Sequence, residues 1–314
     1  MAKRRKLQII GVVAQLLCTV IVISIGLRSD ISSPGIFLFK AAYLPIVLVC
    51  IVTFFSSFIV VRTYYYLAVC VVLSLLLLIT LLPNTTQSDA FSKRADDEGF
   101  SVATFSAMTR SNNANDILDF VRTYNPDVLC LQEVKEIDIE GLKKSYPYQS
   151  KIVDGLIVFS QFPLKEGDRG IGIQSIELQV QQFLEERTVT LLNVHMPRQY
   201  RDQQKLLLAI NDLHNMTKQT DHSILCGDFN LSPRNTMYSH IVQQLGFDDA
   251  QNNQMFEYGF TFPNANRRLA TLGVWLRIDY LFSKGFYSGT TRVVDVSKLS
   301  DHRAVMSTFL MMEK

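Results

Sequence analysis

Acidic, amide and histidine side chains interrupt apolar, strand-like runs at five places between residues 99 and 314 of this 314-residue sequence. The interruptions are Gln132-Glu133, His195, Asp228 with Asn230, Asp279, and Asp301-His302. A carboxylate at the end of a buried strand is costly unless it is paired or bound to a metal. Each site taken alone has an ordinary alternative, such as a surface acid, a satisfied histidine, a turn or a helix cap. Taken as an ordered set, the five sites predict strand ends that converge on one pocket.

The residue types in this set suit hydrolysis of a phosphoester around a hard divalent cation. Carboxylate and amide oxygens are donors that Mg²⁺ or Mn²⁺ prefers over zinc-type nitrogen and sulfur sites. Two histidines add proton transfer or hydrogen bonding to a phosphoryl oxygen, and an Asp–His pair fixes the imidazole tautomer. Such a reaction needs an activated water, charge stabilisation and help for the leaving group. The sequence contains neither a Gly-rich phosphate loop nor a GxSxG elbow, so neither nucleoside-triphosphate binding nor a serine nucleophile is indicated.

Apolar periodicity over residues 99–314 predicts the elements that must position these side chains. Strands are expected at 101–108, 127–134, 155–160, 171–180, 188–196, 223–226, 278–283, 291–296 and 304–311, and helices at 115–124, 203–216 and 237–245. The fourth and fifth strands resemble an antiparallel pair. Many strands with a few interspersed helices are typical of a mixed α/β or α+β domain, and two sheets packed face to face between helices would fit.

The first 82 residues belong to a different class of polypeptide, because they are mostly apolar. Runs at 7–27, 41–61 and 65–82 are each long enough to cross a hydrocarbon core of about 30 Å. The first run is too long for a signal peptide and lacks a small-residue cleavage site. The basic cluster Lys3–Lys6 places the N-terminus in the cytoplasm, and three crossings then put the following residues on the other side. We therefore expect an integral protein of a bacterial inner membrane, with the lipid bilayer as a partner, a membrane domain over 1–83, a linker over 84–98 and an extracytoplasmic catalytic domain over 99–314.

Charge divides at the same boundary. Residues 1–82 hold seven lysines and arginines against the single acid Asp30, so a net charge of +2 for the whole chain leaves −4 for residues 83–314. A mildly acidic catalytic part weighs against a sequence-independent nucleic-acid binder, which normally has a basic surface. Nucleic acid therefore stays as the less favoured substrate, and the oligomeric state is not readable from the sequence.

Two of the five cysteines, Cys130 and Cys226, lie in predicted buried strands. There is no CxxC pair and no Cys/His metal spacing, so these thiols are expected to be inert core residues. A disulfide between them is the alternative.

The ordered motifs resemble those of the endonuclease/exonuclease/phosphatase superfamily, the DNase I-like proteins, and most closely its membrane-anchored bacterial members. The resemblance covers about 101–311 and rests on Leu131-Gln132-Glu133-Val134, Gly227-Asp228-Phe229-Asn230, Arg277-Ile278-Asp279-Tyr280 and Ser300-Asp301-His302. It implies an α/β fold, a four-layer α/β/β/α sandwich, and Mg²⁺ or Mn²⁺ as the cofactor.

The resemblance also implies catalytic roles. Asp228 would activate the attacking water, and Asn230 would hold that water or the transition state. His195 would contact the phosphate or assist the leaving group. His302 would contact the scissile phosphate, and Asp279 would pair with His302 and fix it.

The metal site implied by the resemblance consists of Glu133, Asp301 and Ser106, with orientation of a histidine as the alternative role of Asp301. Ser106 stands where the first strand of the family usually carries an Asn, and a hydroxyl is a shorter and poorer ligand than an amide oxygen. Two hypotheses follow. The first is a membrane-anchored phosphoester hydrolase acting on a lipid headgroup, a nucleic acid or a phosphorylated small molecule. The second is a catalytically weak or inactive binding module of the same fold. A transporter or sensor is disfavoured, because the apolar runs contain almost no intramembrane charge.

Overall fold

The computed structural model describes residues 89–107, 114–134, 140–182, 185–199, 201–253, 259–264, 276–296 and 300–313. The chain divides into two units, Met1–Leu82 and Pro83–Lys314, and every described residue belongs to the second unit. The three predicted membrane segments lie outside the described residues. Within the described ranges, no helix has both the length and the apolar character needed to cross a membrane.

The described part of the chain alternates short helices with many strands. Its helices are α1 (Asp89–Glu98), α2 (Ala114–Tyr124), α3 (Glu140–Ser145), α4 (Gln203–Thr217) and α5 (Thr236–Ser239), with a π-helical turn at His240–Gln244 and a 3₁₀ turn at Ala250–Asn253. Its strands are β1 (Phe100–Ser106), β2 (Val128–Gln132), β3 (Tyr148–Gln149), β4 (Ile157–Ser160), β5 (Leu164–Gly170), β6 (Ile173–Gln182), β7 (Glu185–His195), β8 (Ser223–Asp228), β9 (Asp248–Asp249), β10 (Asp279–Lys284), β11 (Phe286–Ser288), β12 (Arg292–Val294) and β13 (Ala304–Met311).

These strands form two sheets. The seven-stranded sheet has the order β11-β13-β1-β2-β4-β3, with β12 also paired to β13, and the six-stranded sheet has the order β5-β6-β7-β8-β10-β9. The β1–β2 and β7–β8 pairs are parallel, and the other pairs are antiparallel. The predicted antiparallel pair, now β6 and β7, is confirmed.

The two sheets pack face to face because alternate strand residues are apolar on the inner faces. Val102 and Val158 from one sheet meet Ile176, Leu191 and Leu281 from the other in this inner core. On the outer face of the six-stranded sheet lie α4 and the turn after α5. On the outer face of the seven-stranded sheet lie α2 and α3. The arrangement is therefore the expected four-layer α/β/β/α sandwich.

The segment predicted as a linker over 84–98 instead contains helix α1. Its sequence is polar on most faces, so it shows little apolar periodicity, yet Ala95 is fully buried. Asp96 anchors the helix, because its carboxylate accepts hydrogen bonds from the Thr290 backbone N–H and hydroxyl and from the Thr308 hydroxyl. These polar contacts lie about 200 residues away along the chain and leave no local sequence signal.

Other differences from the predicted elements have local causes. The helix predicted over 237–245 begins at Thr236, where Asn235 caps the Met237 N–H, and then widens into the π-helical turn. Strand β5 was not predicted, because it lies at a sheet edge, is polar on both faces and contains a bulge between Glu166 and Arg169. Cys130 and Cys226 are both buried free thiols, so the alternative of a disulfide does not hold in this structure.

Gly227 allows the two central strands of the six-stranded sheet to approach each other. Its φ is +140°, and an added Cβ would lie 1.9 Å from the carbonyl oxygen of Val194. Gly227→Ala should therefore lower the free energy of unfolding by about 3 kcal/mol or more, through overpacking and backbone strain together. Gly246→Ala is the matched control, because Gly246 has a φ of +74° but open space around its Cβ position. That variant should cost about 1 kcal/mol through backbone strain alone, and equal melting temperatures for the two variants would contradict the steric argument.

Candidate active site

The predicted site residues lie where β1, β2, β7 and β8 end and where β10 and β13 begin. In the six-stranded sheet His195 pairs with Asp228 across the parallel β7–β8 ladder, and Asp228 pairs with Asp279 across the antiparallel β8–β10 ladder. In the facing sheet Ser106 pairs with Gln132, and Glu133 follows directly. Parallel strands end at one edge of a sheet, so the convergence follows from the topology.

Asp228, His302 and Asp279 form a buried row at the base of the site. The His302 Nδ1 atom lies 2.8 and 3.0 Å from the two carboxylate oxygens of Asp279. On the other side of the ring, Nε2 lies 4.0 Å from Asp228 Oδ2. Both aspartates are fully buried. The carboxylate of Asp279 keeps a proton on Nδ1. The opposite ring nitrogen, Nε2, faces Asp228.

Burial and charge set the protonation of this row. Burial lowers the pKa of His302, but the charge and hydrogen bond of Asp279, with further help from Asp228 and Asp301, raise the pKa to about 10. Desolvation raises the pKa of Asp228 to about 6, against the lowering effect of His302. At neutral pH the row therefore contains an imidazolium and a carboxylate whose proton affinity is unusually high.

His195 and Glu133 lie further toward solvent. His195 Nε2 lies 3.6 Å from Glu133 Oε1 and 3.9 Å from Asp228 Oδ2, and the side chains of His195 and Glu133 are 28% and 30% exposed. The site thus has a buried proton-holding row and a more accessible His–Glu pair beside it.

Two of the strand-end residues adopt left-handed backbone conformations. Glu133 has a φ of 54° and Asn230 a φ of 50°. Such values are tolerated by Asn but strained for Glu, and strain of this kind clusters at functional sites. The turn at Asn230 is fixed by its backbone N–H, which donates to Asp228 Oδ1 at 2.8 Å.

A neighbouring segment, residues 259–264, holds the row in place. The Thr261 hydroxyl accepts hydrogen bonds from the backbone N–H groups of Ile278 and Asp279, each at 3.1 Å. The Phe262 ring contacts the His302 ring, with centroids 5.0 Å apart. The backbone N–H of His302 donates to the Ser300 hydroxyl, and that hydroxyl donates to the carbonyl oxygen of Ser106. Asp279 and His302 are therefore positioned by the same small cluster.

Sequence reasoning did not predict the buried polar network beneath the site. Gln132 Nε2 donates to Thr104 Oγ1 at 2.9 Å and to Asn193 Oδ1 at 2.7 Å. Asn193 Nδ2 donates to the Leu131 and Ile157 carbonyl oxygens, so this network joins the two sheets. Arg277 and Asp249 form a second buried pair, next to β10. The network beneath the site could have been suspected from the polar residues Gln132 and Asn193 inside apolar strands. Their hydrogen-bond partners, however, are distant in sequence.

In the described part of the chain, one group of acidic and histidine side chains brings its ligand atoms as close together as a metal site requires. Asp228, Asp279 and His302 present ligand atoms within 4.8 Å of one another. However, Asp279 and His302 already share a hydrogen-bonded proton, which leaves that edge of the imidazole unsuited to a cation. Glu133 and Asp301 are only partly buried, and the buried Ser106 hydroxyl has no hydrogen-bond partner among the described residues. These three predicted ligands offer only oxygen donors, which suit Mg²⁺ or Mn²⁺ better than a site that includes an imidazole.

Comparison with known proteins gives the same picture for most of the described unit. Residues 99–302 match the sequence model of the Endonuclease/Exonuclease/phosphatase family. Human sphingomyelin phosphodiesterase 2 is 26% identical, over 63% of this chain and 60% of that protein, so the match spans less than two thirds of the relative.

Solved structures show the same fold. A family protein from Leptotrichia buccalis superposes with a TM-score of 0.55 at 16% identity, covering 68% of this chain and 100% of that chain. Truncated TDP2 from Caenorhabditis elegans gives 0.52 at 20% identity, over 67% and 97% of the two chains. The 3′ phosphatase NExo from Neisseria, bound to a product DNA hairpin, gives 0.53 at 14% identity, over 67% and 99%.

Proposed function

The chain belongs to the Endonuclease/Exonuclease/phosphatase family, and we propose that it is a divalent-metal-dependent phosphodiesterase carried on an N-terminal membrane anchor. The observation that carries this proposal is the buried row of Asp228, His302 and Asp279 beside the His195–Glu133 pair. The row combines a proton acceptor and a fixed imidazolium, which together serve an in-line attack of water on phosphorus.

Asp228 is the proton acceptor in this proposal. Its Oδ2 atom has no hydrogen-bond partner among the described residues and lies about equally far from the Nε2 atoms of His195 and His302. Its pKa, raised to about 6 by burial, is closer to neutrality than that of an ordinary aspartate. A base of this kind takes a proton from water more effectively and is still ionised at neutral pH.

The two histidines act on the phosphoryl group. His302 stays protonated, because Asp279 stabilises the imidazolium, and its Nε2–H donates to a phosphoryl oxygen as negative charge develops there. His195 is more exposed, which supports its role of assisting the leaving-group oxygen on the solvent side of the site. Glu133, Asp301 and Ser106 would hold the metal. When bound, the cation supplies further positive charge to the phosphoryl oxygens.

A lipid phosphodiester is the substrate class we favour. The membrane segments expected over 7–27, 41–61 and 65–82 would keep the catalytic unit close to a bilayer, and its net charge is −4. The human relative is named as a sphingomyelin phosphodiesterase, which supports a lipid headgroup. Nucleic acid is the second candidate, since a structural neighbour contains a DNA hairpin.

The test uses the full-length chain reconstituted in nanodiscs, with Mg²⁺ or EDTA. Sphingomyelin and phosphatidylcholine vesicles, single- and double-stranded DNA, and p-nitrophenyl phosphate are offered in parallel. We expect Mg²⁺-dependent release of the phosphorylated headgroup. Strong nuclease activity without lipid turnover would overturn the lipid proposal. Absence of any hydrolysis would favour the inactive binding module that Ser106 suggests.

The extracytoplasmic placement of the catalytic unit is also part of the proposal. It is supported by the basic cluster Lys3–Lys6 and an odd number of expected crossings. An alkaline phosphatase fusion after Lys314 should be active in bacterial cells, whereas a green fluorescent protein fusion exported by the same route should be dark. The reverse pattern would place the unit in the cytoplasm.

Glu133→Gln should weaken the metal requirement of the protein without unfolding it. The change removes a charged ligand from a partly exposed position, so we expect the Mn²⁺ concentration for half-saturation to rise about 10-fold or more. Electron paramagnetic resonance of free Mn²⁺ measures this without turnover. Glu177→Gln, an exposed acid on β6 paired with Lys165, is the matched control. Unchanged Mn²⁺ binding in Glu133→Gln would remove Glu133 from the metal site.

A further inference from the structure

Arg198 lies three residues after His195, and its guanidinium contacts a residue of the proposed catalytic set. Its Nε–H donates to Asn230 Oδ1 at 3.2 Å. The backbone around Arg198 is fixed, because its carbonyl oxygen accepts the N–H groups of Arg201 and Asp202 at 2.9 and 3.2 Å in the turn before α4. The half-buried Arg198 side chain is therefore held beside Asn230 by a rigid loop.

The partners of Asn230 define which way its amide faces. Arginine is only a donor, so the atom facing Arg198 must be the amide oxygen. On the other side, Asn230 Nδ2 donates to the Met196 carbonyl oxygen at 3.0 Å, and a carbonyl is only an acceptor. The orientation of the amide is thus dictated by chemistry. One Nδ2–H remains available after the bond to Met196.

The loop that carries Arg198 is tied to the Asn230 loop at further points. The Met196 N–H donates to the Asp228 carbonyl oxygen at 2.8 Å, and Asn235 Nδ2 donates to Gln199 Oε1 at 2.6 Å. Asn230 itself is almost fully buried. The contact between Arg198 and Asn230 therefore lies between two loops that are hydrogen-bonded to each other. The Asn230 amide is held by Arg198 on one side and by the Met196 carbonyl oxygen on the other.

We propose that Arg198 is a positioning residue that fixes Asn230 as an N–H donor to the phosphoryl group. The proposal rests on the proposed phosphodiesterase function. The guanidinium locks the amide oxygen away from the reacting atoms and polarises the amide, which strengthens its remaining N–H as a donor. The guanidinium that bonds to Oδ1 carries a permanent positive charge. That charge also disfavours Oδ1 as a ligand for a metal cation. Asn230 therefore serves the transition state and not the metal.

A double-mutant cycle tests whether Arg198 acts through Asn230. In the full-length chain, with Mg²⁺ and bis(p-nitrophenyl) phosphate, Arg198→Met should lower kcat about 10- to 30-fold with KM changed less than about two-fold. Asn230→Ala should lower kcat about 100-fold. In the Asn230→Ala background, Arg198→Met should cost nothing further, because the group it positions is gone. Arg198→Lys keeps the charge and one donor, so it should recover part of kcat.

Lys205→Gln is the matched control, since it removes one positive charge from the exposed face of α4 close by. It should leave kcat unchanged. Additive losses for Arg198→Met and Asn230→Ala, or a KM effect larger than the kcat effect, would show that Arg198 contacts the substrate directly and would overturn the proposal.

A binding measurement keeps the proposal testable if the chain turns over none of the substrates offered. Orthovanadate mimics the five-coordinate phosphoryl group, and its binding is followed by calorimetry on the full-length chain. Arg198→Met should weaken vanadate about 10-fold in the wild-type background and not at all with Asn230→Ala. Equal weakening in both backgrounds overturns the proposal. A wild-type chain that binds no vanadate also overturns it, because Asn230 would then have no anion to receive its hydrogen bond.

Discussion

Asp228→Asn should lower turnover about 10³-fold and, in the absence of metal, raise the melting temperature of the protein. The loss of turnover follows from removing the proton acceptor, because an amide cannot take a proton from water. The gain in stability follows from burial: Asp228 is fully buried, and desolvation raises its pKa to about 6. Asparagine keeps the oxygen that accepts the Asn230 N–H and removes the buried charge.

The pH dependence of stability gives the sign of this second effect. An acid whose pKa is raised on folding binds its proton more tightly in the native state than in the unfolded chain. Stability therefore falls as pH rises from about 4 to about 6, and the full penalty, on the order of 2–3 kcal/mol, is present at pH 7. Asp228→Asn removes that fall.

The measurement is thermal unfolding in EDTA at several values of pH, alongside hydrolysis with Mg²⁺. Asp119→Asn, on the exposed face of α2, is the control for a neutralised acid elsewhere. If the variant lost both turnover and stability at pH 7, Asp228 would have a structural role and not a catalytic one. A variant that keeps turnover would remove Asp228 as the base.

Asp279→Asn should lower kcat about 10²- to 10³-fold and make activity fall as pH rises above neutrality. His302 owes its high pKa, about 10, chiefly to the charge and hydrogen bond of Asp279, which overcome burial. Without that carboxylate, burial lowers the pKa of the imidazole, and the proton that Nε2 donates is lost near neutral pH. The wild-type imidazole should instead stay protonated until about pH 10.

Carbon-detected titration of the His302 ring, compared with the pH profile of kcat, checks this result. Asp248→Asn is a suitable control, since it alters an exposed acid on the neighbouring strand β9. If Asp279→Asn left both the titration and the pH profile unchanged, Asp279 would have no part in holding the proton on His302.

The convergence of the site was predictable from the sequence because the strands that carry it end in polar residues. Glu133, His195 and Asp228 follow apolar runs, and strands pointing the same way end at the same edge. The sequence did not indicate how deeply each of these site side chains is buried. His302 is buried and Asp301, the adjacent residue, is half exposed, and this difference depends on how residues 259–264 cover the imidazole.

The sequence did not predict helix α1 or the polar network that joins the two sheets. Both depend on hydrogen bonds between residues that are far apart along the chain. Asp96 holds α1 through Thr290 and Thr308, and Gln132 meets Asn193 across the two sheets. Neither contact leaves a periodic pattern, because a single hydrogen bond between distant residues needs only one position in each segment. Arg198 left a weak signal, a basic residue shortly after a strand-end histidine, but only the structure shows it bonded to Asn230.

The register that places Asp228 directly opposite Asp279 has a practical consequence. Two like charges facing each other across an antiparallel ladder oppose sheet formation. One imidazolium, that of His302, lies against both carboxylates, so one negative charge of the pair stays uncompensated and leaves local electrostatic frustration. Any cation, proton or ligand that relieves the frustration must stabilise the native state by mass action. A melting-temperature screen of metals and phosphorylated compounds would therefore rank candidate ligands before any product is known.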